Sequence, residues 1–269
     1  MDGLDARVVE FHRLHEAGCF VMPNPWDVGS ARALESLGFP ALATTSAGFA
    51  WTRGRSDNGV AVGEMLEHLA DVAAAVSVPM NADFEDGFAT SPQGVADNVL
   101  RAVSTGIAGL SIEDSSHDPD GEPLLDHGLS VERIAAARAA IDESGTGVVL
   151  TARSEGFVVG RPDLEETLRR LRAYAEAGAD CLYAPRISTV EQIAAVVDAV
   201  APKPVNLLIN ATFITVAEAA ELGVRRISVG GTLARTAWGG FLAAAREIAE
   251  SGTFTRFQGL PDVDGIQSR

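Results

Sequence analysis

Cysteine is almost missing from this chain: Cys19 and Cys181 are the only two among 269 residues. Two isolated thiols build no disulfide framework and lack the paired spacing of a zinc site, so a reducing cytoplasm is the expected home. Positive charge is scarce as well. With 37 acids against 21 Lys and Arg, and a net charge of −16, the chain offers no basic face to nucleic acid or to an anionic membrane, and its expected partners are small molecules. No apolar run approaches the roughly 18 residues of a membrane span. The stretch Met1 to Arg13 carries mixed charge without an apolar signal core, so neither export nor anchoring is expected. A Pro/Gly/Ser-rich linker is also lacking, which points to a single domain over 1–269, and 46% hydrophobic content can build its core.

What is present is an alternation. Short β-branched or apolar runs, usually opened by Gly or Pro, precede longer Ala/Leu/Glu/Arg stretches with helical spacing. The runs predict eight strands: Cys19–Pro23, Ala41–Ser46, Pro79–Glu85, Gly109–Asp114, Gly147–Ser154, Cys181–Pro185, Pro204–Asn210 and Arg226–Gly230. Helices are expected between them, among them Asp27–Leu37, Leu164–Ala177 and a long final Thr232–Ser251. The phrases "LGFPAL", "TGIAGLSI", "AGADCLYA" and "LGVRRISV" each end a helix on Gly and begin a strand a few residues later. Glycine relieves the steric cost of the left-handed turn that ends a helix, so the repeated phrase marks repeated corners. Eight consecutive βα units favour a (β/α)8 barrel, followed by a C-terminal helical extension, over an open doubly wound sheet.

In such a barrel the C-terminal strand ends converge on one mouth, where residues read as functional. The third run ends in Asp83-Phe-Glu-Asp86, the fourth in Glu113-Asp114 and the fifth in Arg153-Ser-Glu155. Asp83 and Glu85 are two apart in the third strand, so alternation puts them on one side and Phe84 on the other. With Glu113 they form an oxygen-rich set suited to Mg2+ or Mn2+, and with no His or Cys among them zinc is disfavoured. Each residue also has a plainer reading. Asp86 and Asp114 suit helix caps. Arg153 pairs with the acids or grips a substrate carboxylate. Ser46-Ala47-Gly48 is a tight loop or an anion cradle. The segment Leu164–Ala177, with acids early and arginines late, reads as an exposed helix. Trp238 and Phe241, three apart in the last helix, pack on the barrel or on a neighbouring subunit.

The ordered blocks "MPNPWDVGSARALESLGFPALATTSAGFA", "SDNG", "VPMNADFEDGF", "GLSIEDSS", "LTARSEGF" and "GVRRISVGGTLARTA" resemble the isocitrate lyase/phosphoenolpyruvate mutase superfamily over most of the chain. That resemblance implies a (β/α)8 barrel whose eighth helix is exchanged with a neighbour in dimers and tetramers. It also implies Mg2+ and a small 2-oxo or 2-hydroxy carboxylate substrate. By it Asp83 is the direct metal ligand, and Glu85, Glu113 and Asp57 hold the ion's waters. Thr45, Ser46, Ala47 and Gly48 form the carboxylate-binding loop, Arg153 faces the substrate, and Asn210 is a polar position at the seventh strand end. Glu85 stands where aspartate is more usual.

The departures bear on the reaction. The loop Ser115–Leu129 has neither Cys nor Lys, whereas the lyases carry a Lys-Lys-Cys-Gly-His motif there and the phosphonate enzymes carry lysines with an asparagine. The expected reaction is therefore Mg2+-dependent cleavage of a C–C bond in a small 2-oxo dicarboxylate, of the oxaloacetate decarboxylase or hydrolase kind, through an enolate stabilised by the metal, with Arg153 and Glu113 as catalytic groups. A phosphonopyruvate-type mutase or hydrolase, and a catalytically reduced 2-oxo acid-binding barrel, are the alternatives. The general acid is not identified: His117 and His127 have suitable ordinary pKa values, yet a histidine in a polar loop is more often simply solvated.

Overall fold

A computed structural model describes residues 4–116 and 120–267. Eight parallel strands form the sheet: β1 (Phe20–Met22), β2 (Leu42–Ala43), β3 (Met80–Asp83), β4 (Gly109–Glu113), β5 (Val149–Arg153), β6 (Cys181–Tyr183), β7 (Val205–Leu208) and β8 (Arg226–Ser228). Their order, β1-β8-β7-β6-β5-β4-β3-β2, is that of a barrel opened at one seam. There Ala43 N–H donates to the Pro23 carbonyl at 3.1 Å, and the Asn24 amide donates to the Thr44 carbonyl at 2.9 Å. Asn24 Oδ1 also accepts from the Val229 and Gly230 amides, so one buried side chain stitches β1, β2 and β8 together at the mouth. The eight runs are all present as strands, and the fold is the expected (β/α)8 barrel.

The helices are α1 (Ala6–Glu16), α2 (Val28–Ser36), α3 (Ser46–Thr52), α4 (Val62–Ala75), α5 (Pro92–Val103), α6 (His127–Ser144), α7 (Leu164–Glu176), α8 (Val190–Val200), α9 (Val216–Glu221), α10 (Thr232–Ser251) and α11 (Val263–Gln267). Side-chain caps start most of them, with Asp27, Ser91, Asp163, Thr189 and Thr215 each accepting a backbone N–H of the first turn. At the repeated corners Gly38, Gly106, Gly178 and Gly223 have φ between +84° and +106°, the conformation that made glycine legible there.

The floor of the barrel is closed by α1. Phe11 is fully buried, and Arg226 of β8 reaches across the interior to Asn206 Oδ1 and Thr151 Oγ1, each at 2.9 Å, and to His15 Nε2 at 3.3 Å. Burial and the adjacent guanidinium push the His15 imidazole down to about 3, so it stays neutral and accepts from Arg226.

Three expectations need correction. β3 ends at Asp83, and Glu85 lies in a turn at φ +47°, so strand alternation does not relate the two acids. The helix α7 is half buried. Thr167, Leu168, Leu171 and Tyr174 face the core, and Arg170 is enclosed and paired with Asp114 at 3.1 Å; of its predicted surface pairs, Glu166 holds Arg169 and Arg170. Asp114 caps no helix: it accepts from Arg170, from Tyr174 Oη at 2.6 Å and from the Glu155 amide at 2.7 Å. Asp86, by contrast, does bind a turn, accepting from Phe88 N–H.

Beyond the barrel α10 runs over the predicted residues with only Ala234 buried. Trp238 and Phe241 stack edge to face, centroids 5.6 Å apart, yet remain 43% and 60% exposed, so they do not pack on the barrel. The chain then returns to α2, where Gln267 donates to the Gly29 carbonyl. Both cysteines are free, and no helix among the described residues is long and apolar enough to cross a membrane.

Candidate functional site

The strand ends enclose a cavity of about 510 Å3 at the barrel mouth. In it the register of the sheet sets Glu113, Arg153 and Tyr183 side by side on β4, β5 and β6. Arg153 is the hub. Its Nη1 donates to Asp83 Oδ1 at 2.6 Å, its Nη2 lies 3.1 Å from Glu113 Oε2, and Nε and Nη2 both lie 3.0 Å from Glu155 Oε1. The guanidinium also sits 5.1 Å over the Tyr183 ring. Burial alone would lower its pKa, but the pull of Glu155, Glu113 and Asp83 outweighs burial and holds it well above the usual range. The fork is braced from behind, because Glu155 is anchored through its amide to Asp114 and thence to Arg170 of α7.

Asp83 is fixed on its other oxygen by Ser46, whose amide and hydroxyl both donate to Oδ2 at 2.9 Å. The sequence Ser46-Ala47-Gly48 is not a loop but the first turn of α3, with Thr45 as its cap. Thr45, Ser46, Ala47, Asp57, Asn210 and Arg153 all line the cavity; Gly48 and Glu85 do not. Gly48 is instead packed behind, where a Cβ would meet Thr45 Cγ2 at 2.6 Å and Trp26 Cβ at 2.9 Å. Glu113 also accepts a very short hydrogen bond from Ser115. After β4, Ser115 is bridged antiparallel to Leu124, and Ser116 N–H donates to the Pro123 carbonyl. Of the two histidines proposed as acids, His127 begins α6 and lines a separate outer cavity, and His117 lies outside the described residues.

Three carboxyls (Asp83, Glu113 and Glu155) thus address one guanidinium, and Asp57 and Glu85 lie near enough to Asp83 to feel its charge. Among the described residues no three His, Cys, Asp or Glu side chains converge closely enough to hold a metal ion by themselves. The donor set nevertheless fits a hydrated hard cation, on two observations. Buried Glu85 Oε1 has no hydrogen-bond partner among the described residues. Its carboxyl is also pushed up to about 9, by burial first and then by the charges of Asp83, Glu113 and Asp57. Asp57 is raised by burial and by Asp83, and Glu155 is raised chiefly by burial. Carboxyls held above their ordinary range by one another mark a place short of positive charge.

Sequence reasoning missed Glu155 and Tyr183 as parts of the site, and Arg186 as a lining residue. Tyr183 and Arg186 lie at the end of β6, and the strand-end rule that selected β3 to β5 would have found them. Three of the four non-glycine residues with positive φ, Asn58, Glu85 and Arg186, lie at or beside this mouth, where backbone strain is most often retained for function.

Comparison with known proteins agrees with this architecture. The sequence profile of phosphoenolpyruvate phosphomutase matches residues 11–249. A protein of Burkholderia cenocepacia J2315, provisionally described as a lyase/mutase, shares 46% identity with a TM-score of 0.93, covering 97% of this chain and 95% of its own. Oxaloacetate acetylhydrolase in complex with its product oxalate shares 26% identity (TM-score 0.88; 98% and 94% covered). Phosphonopyruvate hydrolase in complex with oxalate and Mg2+ shares 25% (TM-score 0.86; 98% and 95% covered). With the profile spanning nearly the whole barrel and the strand-end carboxylates in place, the chain belongs to the phosphoenolpyruvate mutase family.

Proposed function

We propose that the protein is a Mg2+-dependent enzyme that cleaves a C–C bond of a small 2-oxo dicarboxylate, in the manner of an oxaloacetate hydrolase or decarboxylase. The observation that carries the reading is the surplus of carboxyls around Arg153, which asks for a divalent cation beside a guanidinium. In this reading Asp83 holds the ion directly and Asp57, Glu85 and Glu113 hold its waters, with Mn2+ as a substitute. The ion's contribution is Lewis acidity, drawing electron density from the bond that breaks. Arg153, its plane fixed by Glu155, presents its remaining Nη1 N–H to the substrate carboxylate and offsets negative charge that grows during cleavage. The α3 entry at Thr45–Gly48 and Asn210 complete the carboxylate contacts. Support comes from two relatives whose structures are complexes with oxalate, itself a small dicarboxylate.

The phosphonate alternative is weakened by the loop after β4, which has no lysine to hold a phosphoryl group. The exposed apolar row on α10 supports a homo-oligomer, dimer or tetramer, built through that helix. The test incubates purified protein with Mg2+ and oxaloacetate, following pyruvate, acetate, oxalate and, with phosphonopyruvate, phosphate, against protein-free controls. Absence of turnover with every 2-oxo acid, together with unchanged ligand binding by Asp83→Ala, refutes the reading; tight binding without product identifies a binding barrel instead.

A further inference from the structure

Four arginines line the mouth cavity, and three of them are already engaged. Arg153 is shared among three carboxylates. Arg226, buried at the floor, spends its donors on Asn206, Thr151 and His15. Arg235 lies over the Trp51 ring at 5.2 Å. The fourth, Arg186, makes no hydrogen bond, ion pair or ring contact with any described residue, in a chain where acids outnumber bases by 37 to 21. An arginine without a carboxylate in so acidic a protein is a charge kept available.

Its backbone points the same way. Arg186 sits at φ +68°, exposed between the buried Pro185 and Ile187. A non-glycine residue in this region costs of order 1 kcal/mol and persists where its side chain is needed. The buried neighbours fix the point from which the guanidinium projects. It follows the end of β6, beside β5 with Arg153 on one side and β7 with Asn210 on the other, across the cavity from Asp83 and Ser46.

From this we infer that Arg186 is the specificity-determining residue for the substrate's distal anionic group, so that the site selects dianionic 2-oxo or 2-hydroxy acids over their monoanionic counterparts. The inference rests on the reading of the mouth as a 2-oxo acid site, and it assigns the second charge of the ligand to a residue of its own. Arg153 and the α3 entry take the carboxylate next to the oxo group; Arg186, with the Asn210 amide nearby, takes the far carboxylate through a charge-assisted bond.

The test compares Mg2+-dependent binding of (S)-malate and (S)-lactate, which share the 2-hydroxy acid and differ in the distal carboxylate, by calorimetry. The wild type is expected to bind malate at least about tenfold tighter, the usual worth of a hydrogen-bonded charge. Arg186→Gly, which suits φ +68° and so keeps the fold, abolishes that preference by weakening malate alone, and its melting temperature equals or exceeds the wild type's. Arg186→Lys restores part of the preference. Equal binding of the two acids by the wild type, or a preference that survives in Arg186→Gly, overturns the inference and leaves the site reading intact. Failure of the wild type to bind either acid with Mg2+ overturns the site reading itself, and this inference with it.

Discussion

If the carboxyls at the mouth are short of positive charge, supplying a divalent ion must expel a proton, and Glu85 is where that proton sits. Its pKa of about 9 lies far above the ordinary 4.5 because the side chain is buried and the charges of four other acids, Asp83, Glu113, Asp57 and Asp86, act on it. Near pH 7 a carboxyl with that pKa is roughly 99% protonated. A divalent ion nearby favours the ionised carboxylate, the better acceptor for the ion's waters, so metal uptake near neutrality should release about one proton. The sign follows from the direction of the shift. Between pH 4.5 and about 9 the folded, metal-free protein holds a proton that the unfolded chain has lost, so the stability this group contributes is full below 4.5 and fades as pH rises through that window. Metal affinity runs the other way, rising about tenfold per pH unit over the same range.

Calorimetry of Mg2+ binding in two buffers of different ionisation enthalpy reads the proton count directly. The wild type should release close to one proton near pH 7, and Glu85→Gln close to none, with an affinity that no longer varies with pH. A metal concentration of about 100 times Kd should stabilise the wild type by about 2.7 kcal/mol. Mg2+ binding by the wild type without proton release and without pH dependence, or undiminished release in Glu85→Gln, would refute the placement of Glu85 around the ion.

Asp83→Ala removes the carboxylate that Ser46 and Arg153 both address; turnover should fall at least about 100-fold, and the Mg2+-dependent rise in melting temperature should vanish. Gly48→Ala forces a Cβ to within 2.6 Å of Thr45 Cγ2, which should cost about 1–3 kcal/mol in urea unfolding, the price of overpacking a site that cannot yield. Replacing Trp238 and Phe241 with serine should turn a multiple of 28.1 kDa into a single chain by light scattering; a wild type that is already monomeric contradicts the role given to α10.

The barrel was legible because its signals are local. Apolar runs and helix-ending glycines recur along the chain, and each corner is decided by a few residues, as Gly38, Gly106, Gly178 and Gly223 show. What escaped was what depends on three dimensions. Alternation carried β3 through to Glu85, but the chain leaves the strand at Asp83 and turns through a left-handed residue, which a glutamate does not announce. Arg170 reads as one of several surface arginines in "LEETLRRLRAYAEA", and only the packing of α7 on the barrel makes it the partner of Asp114. Ser46 to Gly48 begins a helix because Thr45 caps it. The same small residues in open chain would have been a turn.

The barrel solves the problem of a buried guanidinium twice, in opposite ways. At the floor Arg226 is surrounded by neutral acceptors, with no carboxylate among its partners, and its pKa is lowered by burial. At the mouth Arg153 is pressed by three carboxylates and its pKa is driven up. The floor is satisfied without a counter-ion because its hydrogen bonds are directed at one cation from three sides. The mouth has the reverse imbalance, more acids than one guanidinium can neutralise, and pays for it in raised carboxyl pKa values and in the unpartnered oxygen of Glu85. An anionic substrate approaching the Asp83 and Glu113 side of this mouth meets carboxylates, and in the proposed reading a cation among them would offset that repulsion. The proposed reading therefore implies an order in which the metal enters before the acid it would help to hold, with Arg186 on the β6 side as the part of the rim that would attract the anion throughout.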